Sequence, residues 1–175
     1  DGCEVTIENM VEHLNDIAGI RIICSFMSDI YPIADMIARQ ADITVLHVKD
    51  YIKYPKTNGY KSYHMVVTIP VYLSEGKRDT KVEIQIRTIA MDFWASLEHK
   101  IAYKFEGKAP DYLERELKSC ADMVDMLDMK MFSLNQAIMA VEEEERRVEE
   151  EKRRRAEALE NKAKVEEALA RIVGL

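Results

Sequence analysis

The stretch Tyr54-Pro-Lys-Thr-Asn-Gly-Tyr-Lys-Ser-Tyr-His64 concentrates the groups best suited to holding a flat, anionic ligand. Pro55 fixes its own φ and biases Tyr54 towards extended backbone, while Asn58-Gly59 tolerates positive φ, so the first half reads as a turn. Lys56 and Lys61 could meet phosphate, and the face of Tyr60 could stack on a base, with His64 close behind. The same turn also reads as an exposed hairpin loop with ordinary surface lysines. Two carboxylates elsewhere offer different chemistry. Asp16 and Glu83, if carried on neighbouring strands, could share Mg²⁺, which takes few protein carboxylates and then substrate phosphates. Such a metal would neutralise charge on a transferring phosphoryl or diphosphoryl group, and a carboxylate could accept the attacking hydroxyl's proton. The plainer alternative has Asp16 ending a helix and Glu83 pairing with Lys81 or Arg87 on the wet face of a strand.

Something must position these residues, and the hydropathy pattern supplies the elements. Ile7, Met10, Val11 and Leu14 recur at helical spacing behind Thr6. Residues 17–26 are almost wholly apolar and predict a buried central strand, in which Arg21 is an exception. Ser28 and Asp29 are N-cap candidates for a helix through Gln40, with Ile30, Ile33, Ile37 and Ala38 facing inward. A second strand is predicted over residues 43–52 and a third over 62–73, with residues 74–79 as a polar hairpin connection. From Lys81 to Arg87 apolar and polar residues alternate strictly, so Lys81, Glu83, Gln85 and Arg87 share one face. That face meets water or a polar site.

From Thr88 the period becomes helical, with an apolar stripe of Ile89, Phe93, Leu97 and Ile101 beside Ala90 and Trp94, ended by Gly107 and Pro110. Leu113, Leu117, Cys120, Val124, Leu127, Met131, Leu134, Ile138 and Val141 then step by four and three, a heptad seam. Such a long helix packs against the sheet or against another subunit. Beyond Val141, Glu and Arg blocks place pairs four apart, among them Glu142–Arg146, Glu143–Arg147, Glu149–Arg153, Glu150–Arg154 and Glu151–Arg155. Each contributes only about 0.2–0.5 kcal/mol, enough for a solvated helix and no more. The fold class is therefore α+β: a mixed or antiparallel sheet flanked by helices, with long C-terminal helices. Residues 1–110 read as a catalytic core and residues 111–175 as a helical region.

Composition narrows the function. A net charge of −7 over 175 residues argues against an extended nucleic-acid surface but leaves room for a local positive pocket. Cys3, Cys24 and Cys120 are odd in number and lack paired ligand spacing, which fits reduced thiols in a cytoplasmic protein. No apolar run reaches transmembrane length, and no signal-peptide pattern opens the chain. His13, His47 and His99 carry no case for chemistry.

Three strings taken together, Asp16-Ile-Ala-Gly-Ile-Arg21, Pro55-Lys-Thr-Asn-Gly-Tyr-Lys-Ser-Tyr-His64 and Val82-Glu-Ile-Gln-Ile-Arg-Thr88, resemble in order and spacing the synthetase domain of RelA/SpoT-type alarmone synthetases. Phe93-Trp-Ala-Ser-Leu-Glu-His99 and Tyr103-Lys104 look like that family's following helix. The likeness runs from about Asp16 to Phe105 and is closest to the small stand-alone synthetases, similar in fold to nucleotidyltransferases of the polymerase-β type.

The resemblance implies a GTP pyrophosphokinase of the stringent response, which transfers diphosphate from ATP to the 3′-hydroxyl of GDP or GTP. Carried over by position, Asp16 would ligate Mg²⁺, and Glu83 would assist the metal and act as base. Tyr60 would stack on guanine, Lys56 and His64 would reach the acceptor's phosphates, and Arg21 would face the donor's. Asn58 and Gly59 would shape the loop, Lys61 and Ser62 match the motif, and Glu98 and Lys104 fall at polar pocket positions. Asp92 sits where relatives carry asparagine against guanine. The family likeness also implies a homotetramer. One departure stands out: the family's arginines and lysines ahead of the Asp16 string, which clamp ATP, have no counterpart, since the first lysine is Lys49. The expectation is a fragment, or a degenerate, non-catalytic guanine-nucleotide module.

Overall fold

The computed structural model describes residues 18–74, 76–104 and 110–173. The helix expected over residues 7–14, Asp16 itself and the Gly107 stop lie outside the described residues. The described elements are β1 (Gly19–Cys24), α1 (Met27–Ala38), β2 (Thr44–Asp50), β3 (Tyr63–Leu73), β4 (Gly76–Thr88), α2 (Ile89–Lys104) and α3 (Asp111–Val173). The strands form one sheet in the order β1-β4-β3-β2. β1 runs parallel to β4, while β3 is antiparallel to both β4 and β2. This is the expected mixed sheet with flanking helices. The chain divides into two compact units, one ending at Phe132 and the other comprising Ser133–Leu175.

Period-two alternation sorts the sheet into two faces. Opposed residues on antiparallel strands point the same way, so Met65 opposite Ile84 and Val67 opposite Val82 share the core face. Ile20 and Ile22 of β1 stand beside Ile84 and Ile86 on that side. α1 covers it with Ile30 and Ala34, both buried, and with Ile33 and Ile37 at the margin. The helix begins where Asp29 Oδ2 accepts the Phe26 backbone N–H at 3.0 Å, so Asp29 acts from the first turn and Phe26 is the N-cap. Ala38 is exposed; Ala34, one turn earlier, takes the inward position.

Several expectations need correction. β1 is an edge strand among the described strands, with Ile20 and Ile23 each more than two-fifths exposed. An apolar run has the same composition in either location, so the pattern could not place it. The polar connection predicted over residues 74–79 is mostly strand: pairing continues out to Leu73 opposite Gly76, which takes φ +119°. Charged residues such as Lys77, Arg78 and Asp79 can occupy a strand that leaves the core. Among the described side chains of α2, Met91, Trp94 and Ala95 are buried, whereas Ile89, Phe93, Leu97 and Ile101 are exposed. On α3, Ala121 and Asp128 are buried and Leu117, Val124 and Phe132 partly so, while Leu127 and Met131 of the seam face outward. Both helices are apolar on more than one side, and periodicity alone cannot choose between the sides.

Candidate active site

The opposite face of the sheet is polar. Glu83, Gln85 and Arg87 project from β4, His64 stands opposite Gln85 on β3, and Arg21 lies beside Gln85 on β1. Glycine occupies position 19, directly alongside Glu83, and leaves that carboxylate without a neighbouring side chain on β1.

Five side chains close a hydrogen-bonded ring on this face. Arg87 donates through one terminal nitrogen to Gln85 Oε1 at 2.8 Å and to the Tyr60 hydroxyl at 2.6 Å. Gln85 Nε2 donates to Glu83 Oε2 at 2.8 Å. His64 links the remaining members, with Nδ1 2.9 Å from Glu83 Oε1 and Nε2 2.8 Å from the Tyr60 hydroxyl. One tautomer satisfies both contacts: Nδ1–H donates to Glu83, and Nε2 accepts from Tyr60. Burial pushes the His64 imidazole below its ordinary value of 6.5, against the opposing pull of the Glu83 carboxylate, so the ring is neutral near pH 7. For Glu83, burial raises the carboxyl, but hydrogen bonds from Gln85 and His64 outweigh it and hold the group below its ordinary value. Glu83 is therefore an ionised carboxylate, its side chain about one-fifth exposed at 21%.

The basic turn overhangs this ring. Asn58 Oδ1 accepts the Tyr60 backbone N–H at 3.1 Å, and Gly59 adopts φ +88°, the left-handed conformation that glycine accommodates without a Cβ penalty. Asn58 Nδ2 donates to Glu98 Oε1 on α2 at 3.3 Å, so Glu98 tethers the turn. The half-buried Tyr60 ring meets His64 and Tyr51 edge-on. Lys56 Nζ lies 4.9 Å from its centroid and the Arg87 guanidinium 5.2 Å. Lys56, exposed, is also 5.0 Å from the Tyr51 ring.

Other predicted residues take different places. Ser62 is fully buried: its hydroxyl donates to the Ile86 carbonyl and accepts from Arg87 Nε at 3.3 Å, so it supports the guanidinium and has no surface to offer a ligand. Lys61 is committed to Asp125 of α3 at 2.6 Å. Asp92, in the first turn of α2, receives both Arg21 and Arg87 at 3.2 Å, which places Arg21 at the Arg87 end of the site. The side chain of Lys104, like Asp16, is outside what is described. Sequence reasoning missed Tyr51 and the joining roles of Gln85 and Arg87. The alternation that put Gln85 and Arg87 on the Glu83 face was the available signal.

A model described as "Region found in RelA / SpoT proteins" matches residues 4–108. The chain belongs to the RelA/SpoT family. It is similar to GTP pyrophosphokinase YwaC of Bacillus subtilis (strain 168), with 50% identity over 137 residues, 78% of this chain and 65% of that protein. It thus spans just under two thirds of that relative's length. Among solved structures, small alarmone synthetase 2 from Bacillus subtilis shares 48% identity at a TM-score of 0.71, covering 78% of this chain and 71% of that one. Small alarmone synthetase 1 from the same organism, bound to its product pppGpp, shares 38% identity at a TM-score of 0.71 over 74% and 67% of the respective chains. In this RelA/SpoT chain the matched segment holds the whole side-chain ring and the turn. The α3 residues that face the turn, Ala121 and Asp125, lie beyond it.

Proposed function

We propose that this chain is the core of a cytoplasmic GTP pyrophosphokinase that transfers diphosphate from ATP to the ribose 3′-hydroxyl of GDP or GTP, releasing AMP. The observation that carries the reading is the ring itself. A tyrosine suited to stacking on a purine is linked, through one neutral histidine, to an ionised carboxylate suited to accepting a proton. Family membership and a solved relative bound to pppGpp agree with that pairing of roles.

Glu83 suits a hard cation: its carboxylate is charged, partly open, and fixed by donors on both oxygens. Asp16 would supply the second carboxylate, since it precedes Ala18, whose carbonyl accepts the Glu83 backbone N–H at 2.9 Å, by two residues. These two carboxylates would hold Mg²⁺, which would supply neutralisation of charge on the diphosphoryl group. The chain's own side chains do the rest. Tyr60 stacks on guanine, Lys56 meets acceptor phosphate, and Glu83 takes the 3′-hydroxyl proton. His64 donates to Glu83 and keeps its carboxylate oriented, and Arg21, half exposed on the edge strand β1, is assigned to donor phosphate. Both arginines reach Asp92 through Oδ1, so guanine N–H groups would be received through Oδ2. Asn58, Gly59 and Glu98 shape the turn, and Lys104 is assigned to the pocket by its position in the family's motif alone. Four copies would complete the enzyme, joined through exposed seam residues such as Leu134, Ile138 and Val141.

Separation of nucleotides after mixing ATP, GDP and Mg²⁺ with the chain tests this directly. A new, more highly phosphorylated guanosine product is expected, reduced about 10²–10⁴-fold by Glu83→Gln. No such product, from this chain or from one extended to the relatives' length, overturns the assignment.

A further inference from the structure

The turn that carries Tyr60 is fastened on its far side to α3, outside the segment that defines the family. Gly59 and Lys61, the two neighbours of Tyr60, both meet that helix. A methyl added at Gly59 would lie 2.5 Å from the Ala121 Cβ and 3.1 Å from Lys118 Cδ, so the turn's backbone rests on the helix surface. One helical turn further on, Asp125 Oδ1 lies 2.6 Å from Lys61 Nζ. The pair is only about a quarter exposed, 23% for the lysine and 28% for the aspartate, which limits screening by water.

This part of α3 is itself anchored. Thr88, the last residue of β4, donates its hydroxyl to the buried Asp128 at 2.7 Å and accepts the Met91 N–H at 3.1 Å. Trp94 Nε1 donates to the Leu117 carbonyl at 3.1 Å. Asp125 therefore stands between two attachments that join α3 to β4 and α2, on a base rigid enough to set the position of something else. What it sets is Tyr60. The residue's two neighbours are clamped, its N–H is held by Asn58, and it packs against the cluster of Trp94, Ala95 and Ala121.

We propose that Asp125 is a positioning residue for the acceptor nucleotide: through Lys61 it holds the turn so that the Tyr60 ring is pre-placed for a guanine base. The proposal deepens the functional reading above and rests on it. It also changes the role of Lys61 from phosphate ligand to anchor, because its ammonium group is directed to α3.

Calorimetric titration with GDP, which needs neither ATP nor turnover, provides the test, together with amide exchange across residues 56–61. In the full chain, Asp125→Asn should weaken GDP about tenfold, the effect of losing one charged hydrogen bond. Exchange in the turn should quicken while the thermal midpoint stays with the parent chain. Asp125→Glu should recover most of the affinity, which a merely structural defect would not allow. Lys61→Met added to Asp125→Asn should cost little more, since the two side chains act as one unit. Unchanged GDP affinity and unchanged exchange in Asp125→Asn overturn the proposal alone, as does full additivity with Lys61→Met. Failure of the parent chain to bind GDP at all overturns the functional reading and the proposal with it.

Discussion

Tyr60 has two separable parts, and two substitutions divide them. Its ring is the one proposed to stack on a base, while its hydroxyl joins Arg87 to His64. Tyr60→Ala should weaken GDP binding about 10- to 100-fold, from loss of stacking of about 1–3 kcal/mol. Tyr60→Phe should retain most of that affinity in the same titration but lose turnover, because His64 is no longer fixed from behind. The ring also has a pH signature. His64 is neutral in the folded chain because burial holds its pKa below the ordinary 6.5. Between those two values the unfolded chain binds the extra proton, so stability should fall as pH drops below about 6.5 and be fully present above it. Glu83, also lowered, adds a second loss at more acidic pH as its carboxylate is protonated. Chemical denaturation from pH 8 to 5 checks the sign, and His64→Gln should flatten the first of the two slopes. Sequence picked out Tyr60 and Glu83, through residue types and motif spacing, as candidates for a stacking ring and a base, and the structure brings both into one hydrogen-bonded ring. Sequence did not make their connection legible. Which atoms meet depends on His64 standing opposite Gln85, a register set by a hairpin whose turn was predicted four residues too long.

At the scale of elements, β4 divides the molecule into core and site by alternation alone, and that was readable because polar and apolar residues exchange strictly from Lys81 to Arg87. Helix faces were less readable. α2 is apolar nearly all round, and Trp94 turns inward with Met91 and Ala95, since its indole N–H finds the Leu117 carbonyl there. No single-helix pattern contains that partner. The buried Asp128 was hidden for the same reason: an aspartate in a soft, apolar stretch looks like surface until Thr88 is placed against it. Burial raises its carboxyl, with Asp125 adding to the effect, so the charged form is disfavoured in the folded chain. Its stabilising contribution is therefore present at low pH and declines as pH rises through the folded value. Asp128→Asn keeps an acceptor for Thr88 without the charge, and should leave the unfolding free energy at pH 7 unchanged or slightly higher. Asp128→Leu strands the Thr88 hydroxyl and should cost about 1–3 kcal/mol. Gly59→Ala tests the other contact with α3. It combines an unfavourable positive φ with a methyl 2.5 Å from Ala121, so GDP affinity should fall with little change in the core's melting behaviour.

At the scale of the whole molecule, the second compact unit presents charge and hydrophobicity in different ways. Its ion pairs are exposed and local, such as Arg155 with Glu151 at 2.7 Å and Arg147 with Glu144 at 2.8 Å. The second of these reaches three residues back, where spacing predicted Glu143. Exposed pairs of this kind solubilise a helix and add little to its stability. Leu134, Ile138 and Val141 are different: each is more than half exposed, and together they continue the four-three seam. A monomer gains nothing from a row of solvated branched side chains, whereas a second copy of the same helix would bury them. If the seam joins subunits, Ile138→Asp should lower the mass measured by light scattering. Raising the salt concentration should leave the parent assembly intact, because burial of apolar area is not screened. Exchanging an exposed charge nearby, as in Arg147→Glu, should leave the mass as it was. An unaltered mass for Ile138→Asp would remove the seam from the assembly and leave the first unit's side-chain ring untouched, since none of its members lies beyond Phe132.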